Sequence, residues 1–358
     1  DTHTHTHTHT HTPTMQRKLL TAQHGMKMKK MNQWALGIAM SASAFAPLAQ
    51  AAAVIKVDGS STVYPITEAV AEEYQSTLRG ARVTVGIAGS GGGFKRFCRG
   101  ETDITNASRP ILKEEMIACA QAGIKYYELP IAYDALTVVV SKANTFVDQL
   151  TVAELKIMWE PAAQQKIMNW NQIRSTFPDM PLKLAGAGAD SGTFDYWTEA
   201  IMARSKASRG DYQASEDDNV TVQYVSRDKG ALGYFGMAYY EENTDKLRAV
   251  PIVPPGGTTG VVPSTKTVNN GTYQPLSRPL FIYVKEKSLE RPEIKEFVEF
   301  YLTEGPALAA EVGYVELPAK AYELARENLK NGKVGSGFSG HADISLSVEE
   351  LLVRERTH

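Results

Sequence analysis

The chain is short of histidine, cysteine and positive charge. Of its eight histidines, six precede Ala51, and only His341 and His358 follow it. A body this poor in histidine excludes zinc sites built on imidazole and hydrolases built on Ser-His-Asp. Beyond Ala51, acidic side chains outnumber basic ones by six, so the basic face that a nucleic-acid binder needs is absent. There are only two cysteines, Cys98 and Cys119. The longest apolar stretch near the start, Trp34 to Leu48, is too short and too rich in Ser and Ala to cross a bilayer. What remains is ordinary for a globular protein: 358 residues, 22% charged and 43% hydrophobic. That balance excludes collagen-like, coiled-coil and fully disordered chains, and the length suggests two domains.

The beginning of the chain is expected to lie outside that fold. Residues 2–12 alternate Thr and His. A His-rich tract can hold metal, but a CA dinucleotide repeat read as CAC and ACA codons gives the same alternation. Residues 1–25 are therefore expected to be an upstream or non-native segment. Residues 26–51 have the layout of a secretory signal: Lys27, Lys29 and Lys30, then the apolar stretch, then Ala49-Gln50-Ala51 as an A-x-A cleavage site. No cysteine stands at that site to carry a lipid anchor. The expectation is a soluble exported protein beginning near Ala52, in the periplasm of a Gram-negative cell. An oxidising compartment favours a disulfide between Cys98 and Cys119, which would close a loop of about 20 residues and stabilise by about 3 kcal/mol. Two buried free thiols are the alternative.

In the body, β-rich runs alternate with helical patterns, the mark of an α/β protein. VIKV (54–57), RVTVGI (82–87), ALTVVV (135–140) and LFIYV (280–284) read as strands. YPITEAVAEEY (64–74) and the stretches 152–159, 194–202, 292–302 and 306–312 read as helices. The Gly/Ser-rich stretch from Gly332 to Gly340 reads as the start of a flexible tail, 332–358.

Three strand-to-helix junctions carry the chemistry. They are Gly59-Ser60-Ser61-Thr62, Gly89-Ser90-Gly91-Gly92-Gly93 and Asp190-Ser191-Gly192-Thr193. A helix N-terminus presents unpaired N–H groups and a partial positive charge. Glycine lets an anion approach the backbone, and Ser or Thr adds a hydroxyl donor. If the three converge, they surround an oxyanion with neutral dipoles. Taken singly, each is more often a helix cap than a ligand site. The GxxxxGK[ST] pattern of a phosphate-binding loop is missing, and the Gly89 segment lacks both the first glycine and the histidine partner of a nucleophile elbow. A fourth element, Asp103 to Pro110, carries Arg109, which either clamps an oxyanion bidentately or makes a structural ion pair with Asp134 or Asp103.

Taken in order, DGSSTVYP (58–65), GIAGSGGGFKRF (86–97), GETDITNASRP (100–110), GADSGTFDYW (188–197), GALGYFGMAYY (230–240) and PLSRPLFIYV (275–284) resemble the phosphate-binding protein of the high-affinity phosphate ABC transporter, the PstS type, from about Val54 to Glu327. The resemblance implies a two-lobe periplasmic binding protein type II fold with two crossover strands. One lobe would comprise residues 52–132 and 275–331, the other residues 133–274. It also implies a non-enzymatic monomer without cofactor that captures inorganic phosphate and delivers it to an inner-membrane ABC permease. By motif, Ser61, Thr62, Ser90, Gly91, Ser191, Gly192 and Thr193 would bind the anion. The best-described branch of the family has an aspartate where this chain has Arg109, and an arginine where this chain has Ala187. Arg109 is accordingly expected to supply the guanidinium, and Asp134 or Asp190, or else Asp103, to accept the proton of hydrogen phosphate. Carriers of sulfate or molybdate, and an exported phosphatase using Ser90 or Ser191, are the alternatives.

Overall fold

The computed structural model describes residues 53–77, 81–340, 347–354 and 356–357. The upstream segment and the signal expected from the sequence lie outside these residues. Strand β1 (Ala53–Gly59) leads into α1 (Tyr64–Thr77), whose Ile66, Val70, Ala71 and Tyr74 form one buried stripe. There follow β2 (Ala81–Val85), α2 (Gly89–Cys98), β3 (Ile104–Ala107), α3 (Lys113–Gln121) and β4 (Tyr126–Ser141). The middle of the chain holds β5 (Leu150–Thr151), α4 (Val152–Trp159), β6 (Lys183–Ala187), α5 (Gly192–Met202), β7 (Gln213–Ser215), α6 (Asp218–Ser226), β8 (Ala231–Gly236), α7 (Met237–Glu241), β9 (Leu247–Ala249), β10 (Ile252–Val253) and α8 (Thr265–Asn269). The chain returns through β11 (Ser277–Lys285), α9 (Pro292–Glu311), α10 (Ala319–Lys330) and α11 (Val348–Val353).

The main sheet runs β2-β1-β3-β11-β4-β8-β6-β7, with β9 also paired to β4. Its flanks are parallel, β1 with β2 and β3 on one side and β6 with β7 and β8 on the other. Its centre is the antiparallel pair β4 and β11. Strand β4 serves both halves: residues up to Ala135 pair with β11, and Leu136 to Ser141 pair with β8 and β9. Only its second half reads as a strand in the sequence, because Glu128 and Pro130 interrupt the apolar run. The structure carries the strand through both. Pro130, which has no N–H to give, faces the place where the β4–β11 register slips, between Leu280 and Phe281.

Cys98 at the end of α2 and Cys119 in α3 are disulfide-bonded, as expected. Phe94, Phe97, Tyr126, Phe281 and Tyr283 pack around the bridge.

Of the tail expected to be flexible, the described residues are in part packed. Gly335 to Phe338 are buried, with Gly335 bridged to Tyr127 of β4, and α11 buries Val348, Leu351 and Leu352. The cause is Glu128, whose side chain is wholly buried in β4. Its carboxylate accepts from Tyr283 Oη (2.8 Å), Ser336 Oγ (2.6 Å), the Gly337 N–H (3.0 Å) and Arg356 Nη1 (3.1 Å). A buried carboxylate needs donors, and the Gly/Ser segment supplies them at short range. Composition alone suggests mobility because the need arises more than 200 residues away.

Candidate functional site

Ligands of open α/β sheets bind beyond the carboxyl ends of the strands, and that is where the three junctions lie. The first two are joined through Asp58, a buried residue near the end of β1. Its Oδ1 accepts from the N–H groups of Gly59 (2.7 Å) and Ala88 (2.9 Å), and its Oδ2 from Arg96 Nη1. One carboxylate therefore ties the turn after β1 to the loop that opens α2. Close packing reinforces the tie: a Cβ on Gly93 would stand 2.6 Å from Gly59 Cα and 2.5 Å from Thr105 Oγ1, so only glycine fits there.

Within the first junction Ser60 is the cap, its Oγ accepting from the N–H groups of Thr62 (3.1 Å) and Val63 (3.2 Å). Ser61 is exposed in the turn and Thr62 is half-buried. In the second, α2 begins after Ala88 with no side-chain cap, leaving its first N–H groups available. Ser90 Oγ accepts from the Ser108 N–H (3.0 Å) and lies 3.2 Å from Ser108 Oγ. In the third, Ser191 caps α5 by accepting from the Phe194 N–H at 3.0 Å. A capping hydroxyl still has its own proton to donate. Gly192 and Thr193 form the first turn of α5, and Asp190 is exposed on the approach to it.

The junctions meet across the sheet. A Cβ on Gly192 would lie 3.3 Å from Thr62 Oγ1, which puts the start of α5 beside the turn after β1. A Cβ on Gly91 would lie 3.6 Å from Arg109 Nη2. Arg109 pairs with neither Asp134 nor Asp103. Its guanidinium grips Glu115 at 2.8 and 3.1 Å and the Pro110 carbonyl at 3.2 Å, above the Phe94 ring. Asp103 is taken up by Ser288 Oγ (2.8 Å) and the Lys56 N–H (2.9 Å).

The residue that sequence reasoning misses is Arg278, near the start of β11 and opposite Asp134 in the β4–β11 register. Its Nη2 donates to Thr62 Oγ1 at 3.2 Å and stands 3.5 Å from Asp134 Oδ2. Its Nη1 is 3.6 Å from Glu199 Oε2, and its plane lies 3.8 Å over the Tyr196 ring. Burial pushes the Asp134 carboxyl up from its ordinary range, with the Arg278 charge opposing the shift. Arg278 sits inside the PLSRPLFIYV motif, so the signal was present. Its charge is easily overlooked there, because the strand pattern begins after it, at Leu280. A cavity of about 320 Å³ lies between Arg109 and Arg278, bounded also by Ser108, Tyr196 and Glu199. A larger groove of about 970 Å³, bordered by α8 and by Tyr314 to Pro318, shares no residue with these loops.

Such an arrangement can hold a small oxyanion with neutral N–H and O–H donors and one guanidinium. Among the described residues no group of three or more His, Cys, Asp or Glu side chains could hold a metal ion, and no helix there is long and apolar enough to cross a membrane.

Residues 46–304 match the PBP superfamily domain. Protein SphX of Synechococcus elongatus is 51% identical over 323 residues, 89% of this chain and 95% of its own length. The phosphate-binding protein PstS of Staphylococcus epidermidis is 38% identical over 277 residues, 77% of this chain and 82% of its own. The crystal structure of a possible phosphate binding protein from Planctomyces limnophilus superposes with a TM-score of 0.74 at 46% identity, covering 78% of this chain and 98% of that one. The chain belongs to the PBP superfamily, among the SphX and PstS proteins, and it has their mixed α/β type II fold.

Proposed function

We propose that this chain is a non-enzymatic binding protein that captures one inorganic phosphate and delivers it to an ABC permease in the inner membrane. The observation that carries the reading is the meeting of the three helix-opening junctions, through the Asp58 carboxylate and the contact of Gly192 with Thr62. Thr62, Ser90, Ser191 and Thr193 then offer hydroxyl donors and Gly91 and Gly192 backbone N–H groups, with Ser61 at the rim. Arg109, already bidentate to Glu115, borders the second junction. Binding without conversion is supported by the relatives named as phosphate-binding proteins. Hydrogen phosphate differs from sulfate in carrying a proton, and a carboxylate at the site can accept it. Asp134 is the better placed of the aspartates, since Asp190 is exposed. In this reading residues 52–132 and 275–331 make one lobe and 133–274 the other, and the protein works as a monomer in the periplasm.

The test is calorimetric titration of the purified chain with phosphate, sulfate and molybdate, followed by a phosphate-ester assay. The expected result is one phosphate per chain, weak or no heat with the other two anions, and no hydrolysis. Heat with sulfate or molybdate but none with phosphate would move the protein to another oxyanion. Turnover of the ester would make it an enzyme.

A further inference from the structure

We infer that Arg278 is the guanidinium that ligates the anion, a role for which the sequence offers Arg109. The inference deepens the phosphate reading and rests on it. Three arginines stand near the junctions, and their hydrogen bonds separate them. Arg96 is committed to Asp58. Arg109 spends three of its five donors on Glu115 and the Pro110 carbonyl. Its charge is neutralised in a two-point pair of the strong kind.

Arg278 is different. Its side chain is only 13% exposed, yet just one of its contacts, the 3.2 Å bond to Thr62, has ordinary hydrogen-bond length. The carboxylates of Asp134 and Glu199 stand off at 3.5 and 3.6 Å. Its Nε is buried with no hydrogen-bond partner among the described residues. A buried guanidinium whose donors are under-used is costly, and Arg278 lines the cavity it shares with Arg109, where an anion can reach it.

The geometry also says where that anion sits. The guanidinium carbon of Arg278 lies 3.8 Å from the centroid of the Tyr196 ring, a stacking partner that limits its movement. Tyr196 is itself fixed, its hydroxyl donating to the Pro275 carbonyl at 2.9 Å. The same Thr62 hydroxyl that receives Arg278 stands 3.3 Å from the position of a Cβ on Gly192. An anion at the mouth of α5 is thus within one residue of the guanidinium edge. Asp134 and Glu199 are the carboxylates that face Arg278, at longer range than Glu115 faces Arg109.

The test uses R278Q and R278M, because methionine keeps an apolar stem over Tyr196. Each is melted without ligand and then titrated with inorganic phosphate beside the parent. The expected result is a parent-like melting temperature without phosphate, affinity lowered by about tenfold or more, and a smaller rise in melting temperature on adding phosphate. A folded variant that binds within about threefold of the parent overturns the assignment, with the parent's own binding leaving the phosphate reading intact. If both variants melt well below the parent, Arg278 is a structural residue and the inference also fails. A parent that takes up no phosphate fails earlier, and sinks the functional reading itself.

Discussion

Asp58 and Thr62 define the site at the scale of single residues, one from behind and one from within. Asp58 makes no claim on a ligand; it spends both oxygens on holding two loops together. Thr62 offers a hydroxyl between Gly192 and Arg278. The hydroxyls of Ser90 and Thr193 belong to the donor set, so Ser90→Ala and Thr193→Ala should each weaken phosphate binding by roughly tenfold. Far-UV circular dichroism should be unchanged, and calorimetry on the two variants reads the loss. Parent-like affinity in both would put the anion elsewhere. The hydroxyls and glycines of the site were legible because they sit at fixed places relative to strand and helix patterns. Arg278 and the Arg109–Glu115 pair were not, since which carboxylate meets which guanidinium is settled by the fold. Asp103, Asp134 and Glu115 look alike in a string of letters.

At the scale of elements, strands followed by capped helices were readable from periodicity and from Ser, Thr and Gly at the junctions. The length of β4 was not. A strand buried on both faces between β11 and β8 tolerates a charge and a proline that a lone amphipathic strand would not, because partners elsewhere accommodate them. The turn after α5 carries a pH dependence of its own. The Arg209 guanidinium, buried and also bonded to the Met158 and Ile167 carbonyls, holds the Asp211 carboxylate at 2.6 and 3.0 Å and pulls it down to about 2. A carboxyl depressed in the folded state adds stability above its unfolded range and loses it as pH falls through the folded value. Asp211→Asn should therefore cost about 1 kcal/mol near neutral pH, because Asp211 is exposed and solvent screens the pair. The gap between parent and variant should close between about pH 4 and pH 2. Urea melts at both ends of that range check it; a gap that stays constant with pH would contradict the pairing.

For the whole molecule, the sheet explains why distant segments converge. Strands β1, β3 and β6 end where β11 begins, and the central pair β4 and β11 runs between the two parallel flanks. Residues far apart in sequence, Thr62, Gly192 and Arg278, meet there. The two-crossover architecture was legible through resemblance to a family, and the alternating pattern alone gave only α/β. The packed C-terminal segment was illegible because its anchor, Glu128, is buried in a strand it does not adjoin in sequence. The central claim is that three helix-opening junctions close on one anion. Amide hydrogen exchange with and without phosphate tests it most directly. Slower exchange on adding phosphate is expected in all three segments together, 61–63, 89–91 and 192–194. Slowing confined to a single segment, or to none, would contradict it.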